Sequence, residues 1–175
     1  MYATRRDVAA SLLLLGGAVV PLSITQAQES AMNRTEATKQ DAVLAAERIY
    51  RAWDEALGKK DLEAALALYA PDATLESPLV RHLLGVDAGI RTGQAELRTF
   101  VELVFARTPP ARQRYRSNFF TDGRKLMWEY PRAAPDGEQM DFTEVMDIEN
   151  GLIKRHCVYW GWYGMRILER DAYRR

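Results

Sequence analysis

The chain has 175 residues and a formal net charge of zero, with 24 Lys and Arg against 24 Asp and Glu. With 47% hydrophobic residues it has the composition of a globular protein, which excludes a mostly disordered chain. The balanced charge offers no basic surface for nucleic acid. One cysteine excludes an intrachain disulfide, and two histidines give little material for a zinc site.

The N-terminal residues have the pattern of an export signal. Arg5 and Arg6 precede the apolar run Val8–Val20, which is shorter than the roughly 20 residues that a membrane-spanning helix needs. Small residues follow up to Ala27, as at a cleavage site. The sequence therefore predicts a signal peptide over residues 1–27, and the paired arginines favour the twin-arginine route. The mature protein would be periplasmic or secreted, without a stable membrane anchor; an uncleaved anchor is the alternative.

The next segment divides into a spacer and a helical region. Residues 28–40 are polar without an apolar period, which predicts a flexible spacer before one domain over residues 41–170. Apolar residues at three- and four-residue steps then predict helices. Three helices are predicted, over residues 41–57, 61–69 and 93–106. A short strand over 73–77 and a long, glycine-containing loop over 78–92 lie between the second and the third.

Beyond Pro109-Pro110 the apolar period changes from helical to alternating, which predicts strands. Glycine-containing turn signals separate four such runs; the runs cover 112–121, 125–132, 138–149 and 152–162. Helices followed by an antiparallel meander indicate an α+β domain with three helices packed on a curved sheet, in the order α-α-β-α-β-β-β-β.

The turn signals also predict which side chains share a face of the sheet. A two-residue turn at Asn150-Gly151 places Glu144 opposite Cys157, on an inner face that also carries Arg155 and Tyr159. His156 would then face outward unless a β-bulge turns it inward. Cys157 is expected to be buried and unreactive.

A second carboxylate is predicted beside Glu144. If the turn at Pro135-Asp136 has two residues, Glu129 shares the face of Glu144. Two carboxylates in one apolar cavity cannot both ionise easily, so they are candidate acid–base groups. The alternative is that each is satisfied by an arginine in a structural ion pair, for which Arg155 is a candidate.

The other face of the predicted sheet is rich in aromatic residues. Such exposed patches usually mark a surface that binds another protein. The expected partner is a second copy of the chain, which would form a homodimer through the sheets. The residues assigned to this outer face are Val145, Val158, Trp160, Trp162 and, less directly, Trp128 and Tyr130.

Three stretches carry a family resemblance. Asp61-Leu-Glu-Ala…Leu-Tyr69-Ala-Pro-Asp72-Ala-Thr-Leu-Glu-Ser77-Pro, Gly93-Gln-Ala-Glu-Leu and Asn150-Gly-Leu-Ile…Tyr159-Trp resemble the SnoaL-like branch of the nuclear transport factor 2-like superfamily. The resemblance implies a cone-shaped fold with a deep apolar pocket. It also implies the family's range of activities: cofactor-free isomerases, polyketide cyclases, epoxide hydrolases, dehydratases and plain binding domains.

Several positions depart from the pattern of the ketosteroid isomerases in that superfamily. Where they carry a general-base Asp, this chain has Ser77; where they carry an oxyanion-hole Tyr, it has Trp53. Their second, protonated Asp corresponds to Glu144. Gly161 stands where many cyclases and epoxide hydrolases carry an Asp. The resemblance therefore implies a pocket acid with a changed partner and argues against steroid isomerisation.

Together these observations predict a secreted, cofactor-independent acid–base enzyme, of the lyase, dehydratase, isomerase or hydrolase type, acting on a small apolar or aromatic molecule. Glu144 would be the acid, with His82 of the long loop or His156 as its partner. The expected substrate-binding residues are Trp53, Ser77, Glu129, Tyr159 and Trp160, and no metal ligand is expected. A binding domain without chemistry is the main alternative, followed by a purely structural dimerisation domain.

Overall fold

A computed structural model of the chain describes residues 22–107, 118–133 and 139–170. Two compact units are distinguished, Met1–Thr35 and Glu36–Arg175. Helix α1 spans Leu22–Lys59. Over the described residues, no helix combines the length and the hydrophobicity that membrane spanning requires. Most of the predicted signal peptide, residues 1–21, lies outside the described residues.

Residues 28–40, predicted as a flexible spacer, are helical in the structure. Their side chains are exposed, and Arg34 and Thr35 donate hydrogen bonds to carbonyls four residues earlier. The segment contains neither Gly nor Pro, and nine of its 13 residues are the strong helix formers Ala, Glu, Gln, Lys, Arg or Met. Intrinsic helix propensity therefore supports a helix whose side chains stay exposed. The prediction of an irregular segment was therefore wrong, because the absence of an apolar period does not prevent helix formation.

Three further helices precede most of the sheet. Helix α2 spans Leu62–Leu66, α3 spans Pro78–Leu84 and α4 spans Gly93–Arg107. The position of α4 confirms the prediction. The prediction of a long loop over 78–92 was wrong, because these residues form α3 and the short strand β2. The Ser77 hydroxyl accepts a hydrogen bond from the Leu79 amide and caps α3, Pro78 occupies its first turn, and Gly85 ends it with a φ of 64°.

Six strands form one sheet in the order β2-β1-β6-β5-β4-β3. The β1–β6 pair is parallel and the other pairs are antiparallel, which confirms the α+β class. The strands are β1 (Tyr69–Glu76), β2 (Ile90–Thr92), β3 (Phe120–Thr121), β4 (Lys125–Ala133), β5 (Gln139–Glu149) and β6 (Leu152–Trp160).

Some strand boundaries differ from the prediction. Tyr69, expected to end a helix, instead begins β1. Of the strand expected over 112–121, residues 112–117 lie outside the described residues. Strand β6 ends at Trp160, and Trp162–Glu169 form a fifth helix, α5, that was not predicted. Gly164, Ile167 and Leu168 are the buried residues of α5, and they recur at three- and four-residue steps.

The β4–β5 register differs by one residue from the predicted one. Ala133 pairs with Gln139, so the connection between β4 and β5 is longer than a two-residue turn. As a result Trp128, and not Glu129, lies on the same face of the sheet as Glu144, with which it pairs. A one-residue shift moves every side chain of a strand to the opposite face. Glu129 is therefore exposed, while Trp128 and Tyr130 are buried, at 1% and 6% exposure. The assignment of Glu129 to the Glu144 face was wrong.

A bulge changes the β5–β6 register close to the turn. Ile148 pairs with Ile153, but Asp147 pairs with Arg155, so Lys154 is an extra residue in β6. This irregularity turns His156 inward, as the alternative for that residue required. Beyond the bulge, the inward side chains of β6 are those of His156, Val158 and Trp160. Arg155, Cys157 and Tyr159 lie on the outer face, so their assignment to the inner face was wrong.

The inner face of the sheet packs against α1 and α4. Buried residues that build this core include Ala46 and Trp53 of α1, Leu97 and Phe100 of α4, and Trp128 of β4. Aromatic rings cross at the centre: Trp53 and Trp128 meet edge to face at 5.3 Å between ring centroids. This packing places the inner face of β4, β5 and β6 at the bottom of a cavity.

Candidate functional site

The cavity opens between the helices and the inner face of the sheet. It has a volume of about 80 Å³, well below the ~300–1,000 Å³ of pockets for drug-sized ligands, so it fits a small molecule. Its walls are mostly apolar or aromatic and come from α1, α4 and the sheet. They include Trp53, Leu57, Leu75, Phe100, Val104, Phe142, Val158 and Trp160.

Four polar side chains line this cavity from four strands that are adjacent in the sheet. Tyr69 lies on β1, His156 on β6, Glu144 on β5 and Tyr130 on β4. All four are at least nine-tenths buried, with exposures between 1% and 6%. Because buried polar groups are costly unless they are hydrogen-bonded, their mutual arrangement determines what the site can do.

Both carboxylate oxygens of Glu144 have hydrogen-bond partners. The Tyr130 hydroxyl donates to Oε1 at 2.7 Å, and Nε2 of His156 forms a short hydrogen bond with Oε2. The alternative of an ion pair between Glu144 and Arg155 is wrong. Arg155 lies on the opposite face of the sheet, within 3.6 Å of Glu76 and 3.8 Å of Asp147.

The second ring nitrogen of His156 is also engaged. Its Nδ1 lies 2.7 Å from the hydroxyl oxygen of Tyr69. Burial raises the pKa of the Tyr69 phenol, a hydrogen bond with the Trp53 side chain opposes this, and the Glu144 charge adds to the increase. Tyr69 is therefore a neutral phenol that keeps its proton.

The donors and acceptors fit one directional chain. An indole N–H can only donate, so Trp53 donates to the Tyr69 oxygen, and Tyr69 has its own proton to donate to Nδ1 of His156. A neutral imidazole that accepts at Nδ1 carries its proton on Nε2 and donates it to the Glu144 carboxylate. The Trp53 ring also packs edge-on to the imidazole, with 6.0 Å between centroids.

The structure brings some of the predicted site residues together. Glu144 and His156 are in direct contact, and Trp53, Ser77 and Trp160 line the same cavity. Ser77 is 3% exposed, and its hydroxyl caps α3.

Three other predicted residues do not reach the cavity. His82 lies half-buried on α3 and is not among the described residues that line it. Glu129 is exposed on the outer face, and Tyr159 lies on the same face with 56% exposure. The predictions for Glu129 and Tyr159 were wrong because the register changes in β4–β5 and β5–β6 place them on the opposite face of the sheet. The prediction for His82 was wrong because it lies on helix α3 and not on a loop.

Sequence reasoning missed Tyr69 and Tyr130. Tyr130 follows Leu126 and Trp128 at two-residue steps, and that run of large residues indicates the inner face of β4. Tyr69 has no such signal, because it sits where a helical pattern ends. Only the parallel pairing of β1 with β6 brings it to His156, 87 residues away in the chain.

The charge of the cavity restricts its ligands. Among the described residues that line it, Glu144 is the one carboxylate and neither Lys nor Arg is present. Anionic molecules would meet a negative, weakly solvated site without a counter-charge, so a neutral ligand fits best. Within the described part of the chain, no group of three or more His, Cys, Asp and Glu could hold a metal ion.

Comparison with known proteins places this geometry in context. The family model for the SnoaL-like domain matches residues 47–156. No curated protein matches the chain.

Solved structures with the same fold are distant in sequence. A nuclear transport factor 2-like protein of unknown function from Burkholderia pseudomallei is 22% identical, with a TM-score of 0.57 over 71% of this chain and 96% of that one. A SnoaL-like protein from Burkholderia thailandensis is 17% identical (TM-score 0.57; 67% and 96%). A steroid delta-isomerase from Pseudomonas aeruginosa is 16% identical (TM-score 0.57; 74% and 90%).

Proposed function

The chain belongs to the SnoaL-like family, and from that premise we propose that it is an enzyme that moves protons on a small, neutral, apolar or aromatic molecule. The observation that carries the proposal is the buried contact between Glu144 and His156 at the apolar cavity. An imidazole held by a carboxylate is a recurring arrangement in acid–base catalysis.

The contacts of His156 support its role as the base or acid. When the imidazole takes up a proton, the adjacent Glu144 carboxylate stabilises the resulting cation. Tyr130, through its bond to Oε1, keeps the carboxylate oriented toward the ring. A positioned acid–base group of this kind contributes about 10²–10⁴-fold to a rate. Glu144, predicted from sequence as the acid, is in this proposal the group that orients and stabilises His156.

The reaction class is best described as proton abstraction or donation next to a carbonyl or hydroxyl group. Isomerases, dehydratases and lyases share this step, and a hydrolase would use His156 to activate water. Steroid isomerisation is not favoured: Ser77, at the position where the resemblance places the general base, has its hydroxyl engaged in capping α3, and the cavity of about 80 Å³ is small.

The proposal is tested by incubating the full chain in D₂O with a panel of small neutral ketones, beginning with acetone and butan-2-one. Exchange of the protons adjacent to the carbonyl is followed by NMR. We expect exchange above the buffer rate and a loss of about 10²-fold or more in His156→Gln. His82→Gln is the matched control, since it removes the chain's other histidine outside the cavity. Exchange that survives in His156→Gln contradicts the role of this residue.

A binding domain without chemistry is the second candidate. It is supported by the complete internal hydrogen bonding of Glu144 and His156, which leaves the cavity stable without a ligand. In that case a panel member binds, as seen by perturbed fluorescence of Trp53 and Trp160, which line the cavity, but its protons exchange only at the buffer rate.

Export and dimerisation also belong to the proposal. Residues 1–27 would direct the protein to the periplasm or outside the cell, supported by the Arg5-Arg6 pair and the apolar run that follows; mass spectrometry of the exported protein would locate the cleavage site.

A homodimer through the outer sheet face is supported by the exposure of Met127 and Tyr159 there. Of the residues first assigned to that face, Trp128, Tyr130, Val158 and Trp160 lie on the inner face. Sedimentation of the full chain tests the dimer.

A further inference from the structure

His156 has no ring nitrogen left for a substrate. Its Nε2 is bonded to Glu144 and its Nδ1 lies 2.7 Å from the Tyr69 hydroxyl. His156 is 1% exposed, and its ring packs edge to face with that of Trp53, at 6.0 Å between centroids. A proton that travels between His156 and a molecule in the cavity must therefore pass through one of the hydrogen-bonded neighbours.

We infer that Tyr69 is a catalytic residue that relays the proton between His156 and the substrate, an inference that rests on the proposed function. Among the described residues, Tyr69 is the one whose side chain both lines the cavity and, through its hydroxyl, contacts His156 Nδ1. The oxygen accepts from Trp53 and donates to Nδ1, so it retains a lone pair with which to contact a ligand.

The step balances as a two-proton shift. In the direction of abstraction, a substrate C–H or O–H bond breaks and its electron pair stays on the substrate. The proton forms a new O–H bond on Tyr69 while the original Tyr69 proton moves to Nδ1 of His156. The products are a substrate anion, a neutral Tyr69 and an imidazolium next to the Glu144 carboxylate. In the reverse direction, Tyr69 donates to the substrate and takes its proton back from Nδ1.

Tyr130 cannot perform this relay, although it lines the same cavity. Its hydroxyl donates to Glu144 Oε1, so the proton of that hydroxyl is directed at the carboxylate. A relay through Tyr130 would also place the mobile proton on the group that must stay anionic to stabilise the imidazolium. The two tyrosines therefore form a matched pair: each is buried, each lines the cavity and each contacts one member of the Glu144–His156 pair.

NMR can test the relay without any substrate. The chain has two histidines, so the full-length protein labelled at ring carbon Cε1 gives two histidine signals, and His82→Gln assigns them. Across a pH titration, fast protonation gives one moving His156 signal, and slow protonation gives two separate ones. We expect a moving signal in the wild type and in the control Tyr159→Phe, which removes an exposed hydroxyl on the outer face of the sheet. In Tyr69→Phe we expect exchange slowed by roughly 10²-fold, the lower end of what a positioned proton-transfer group contributes.

A purely structural role for Tyr69 gives the opposite result. Loss of the hydroxyl would then loosen the packing over His156 and make its protonation as fast as in the wild type, or faster. That outcome, or equal slowing in Tyr159→Phe, overturns the relay. The His82 signal is an internal control, and it should be unchanged in both variants.

The ketone assay separates this inference from the proposed function. Slowed titration in Tyr69→Phe without any ketone exchange in the wild type would retain the relay and refute the enzyme. Ketone exchange that requires His156 but not Tyr69 would retain the enzyme and refute the relay.

Discussion

The hydrogen bond from Tyr130 to Glu144 should make a measurable contribution to stability. The Tyr130 hydroxyl is 2.7 Å from Oε1, and both residues are buried, at 6% and 1% exposure. Replacement by Phe leaves a buried carboxylate oxygen without its donor. Since hydrogen bonds to charged groups contribute about 1.5–3 kcal/mol, we expect Tyr130→Phe to lower the free energy of unfolding by about 2 kcal/mol. For a chain of this size that corresponds to a decrease of about 4–8 °C in Tm.

The assay is urea unfolding followed by tryptophan fluorescence, which reports on the buried Trp53 and Trp128 and yields the free energy by linear extrapolation. Tyr159→Phe is the matched control, because Tyr159 is 56% exposed on the outer face; it should change stability by less than about 0.5 kcal/mol.

A double-mutant cycle with Glu144→Gln tests the cause. In the Gln background the acceptor is uncharged, and loss of the Tyr130 hydroxyl should destabilise by only about 1 kcal/mol. A loss below about 0.5 kcal/mol that is equal in both backgrounds would refute the reasoning, because it would mean that Tyr130 and the carboxylate do not interact.

Three further predictions concern regions outside the cavity. Gly123 has a φ of +90°, and a Cβ added there would lie 2.6 Å from the Ala42 Cβ, whereas Gly151 has a φ of +74° with open space around it. In urea unfolding, Gly151→Ala should lower the free energy of unfolding by about 1 kcal/mol through backbone strain, and Gly123→Ala should lower it clearly more. Equal losses would show that the Ala42 contact is absent. Burial raises the pKa of the Cys157 thiol above its ordinary value of 9.0. In a buffer whose pH is below 9.0, the folded chain should therefore react with iodoacetamide at least about tenfold more slowly than the urea-unfolded chain. Similar rates would contradict the burial of Cys157. The Lys125 and Arg124 amides donate to Asp122 and hold the pKa of its carboxyl below the ordinary 3.8. The resulting stabilisation is present above that value and lost as the pH falls through the folded-state pKa. Asp122→Ala should therefore lower the free energy of unfolding at neutral pH and flatten its acid dependence, while Asp87→Ala, at an exposed position, should leave the free energy of unfolding at neutral pH unchanged.

The residue pattern predicted the elements better than it predicted their faces. Helix α4 and strands β4, β5 and β6 follow from local periodicity and from the glycine turns, because each depends on neighbours in the chain. The helix α3 was missed although its signals were present: Ser77 followed by Pro78 is a helix start, and Gly85 is a helix end.

The sequence by itself determined the α+β class, the family and the presence of an acidic residue, Glu144, on the buried face of β5. Only the tertiary structure decided which groups meet it. Side chains alternate along a strand, so the single extra residue Lys154 exchanges His156 for Arg155 on the inner face, and the longer β4–β5 connection exchanges Tyr130 for Glu129. Both faces of these strands carry apolar residues, so the pattern could not fix the register. The pairing of β1 with β6 joins segments far apart in the chain, and no local signal specifies the contact of Tyr69 with His156.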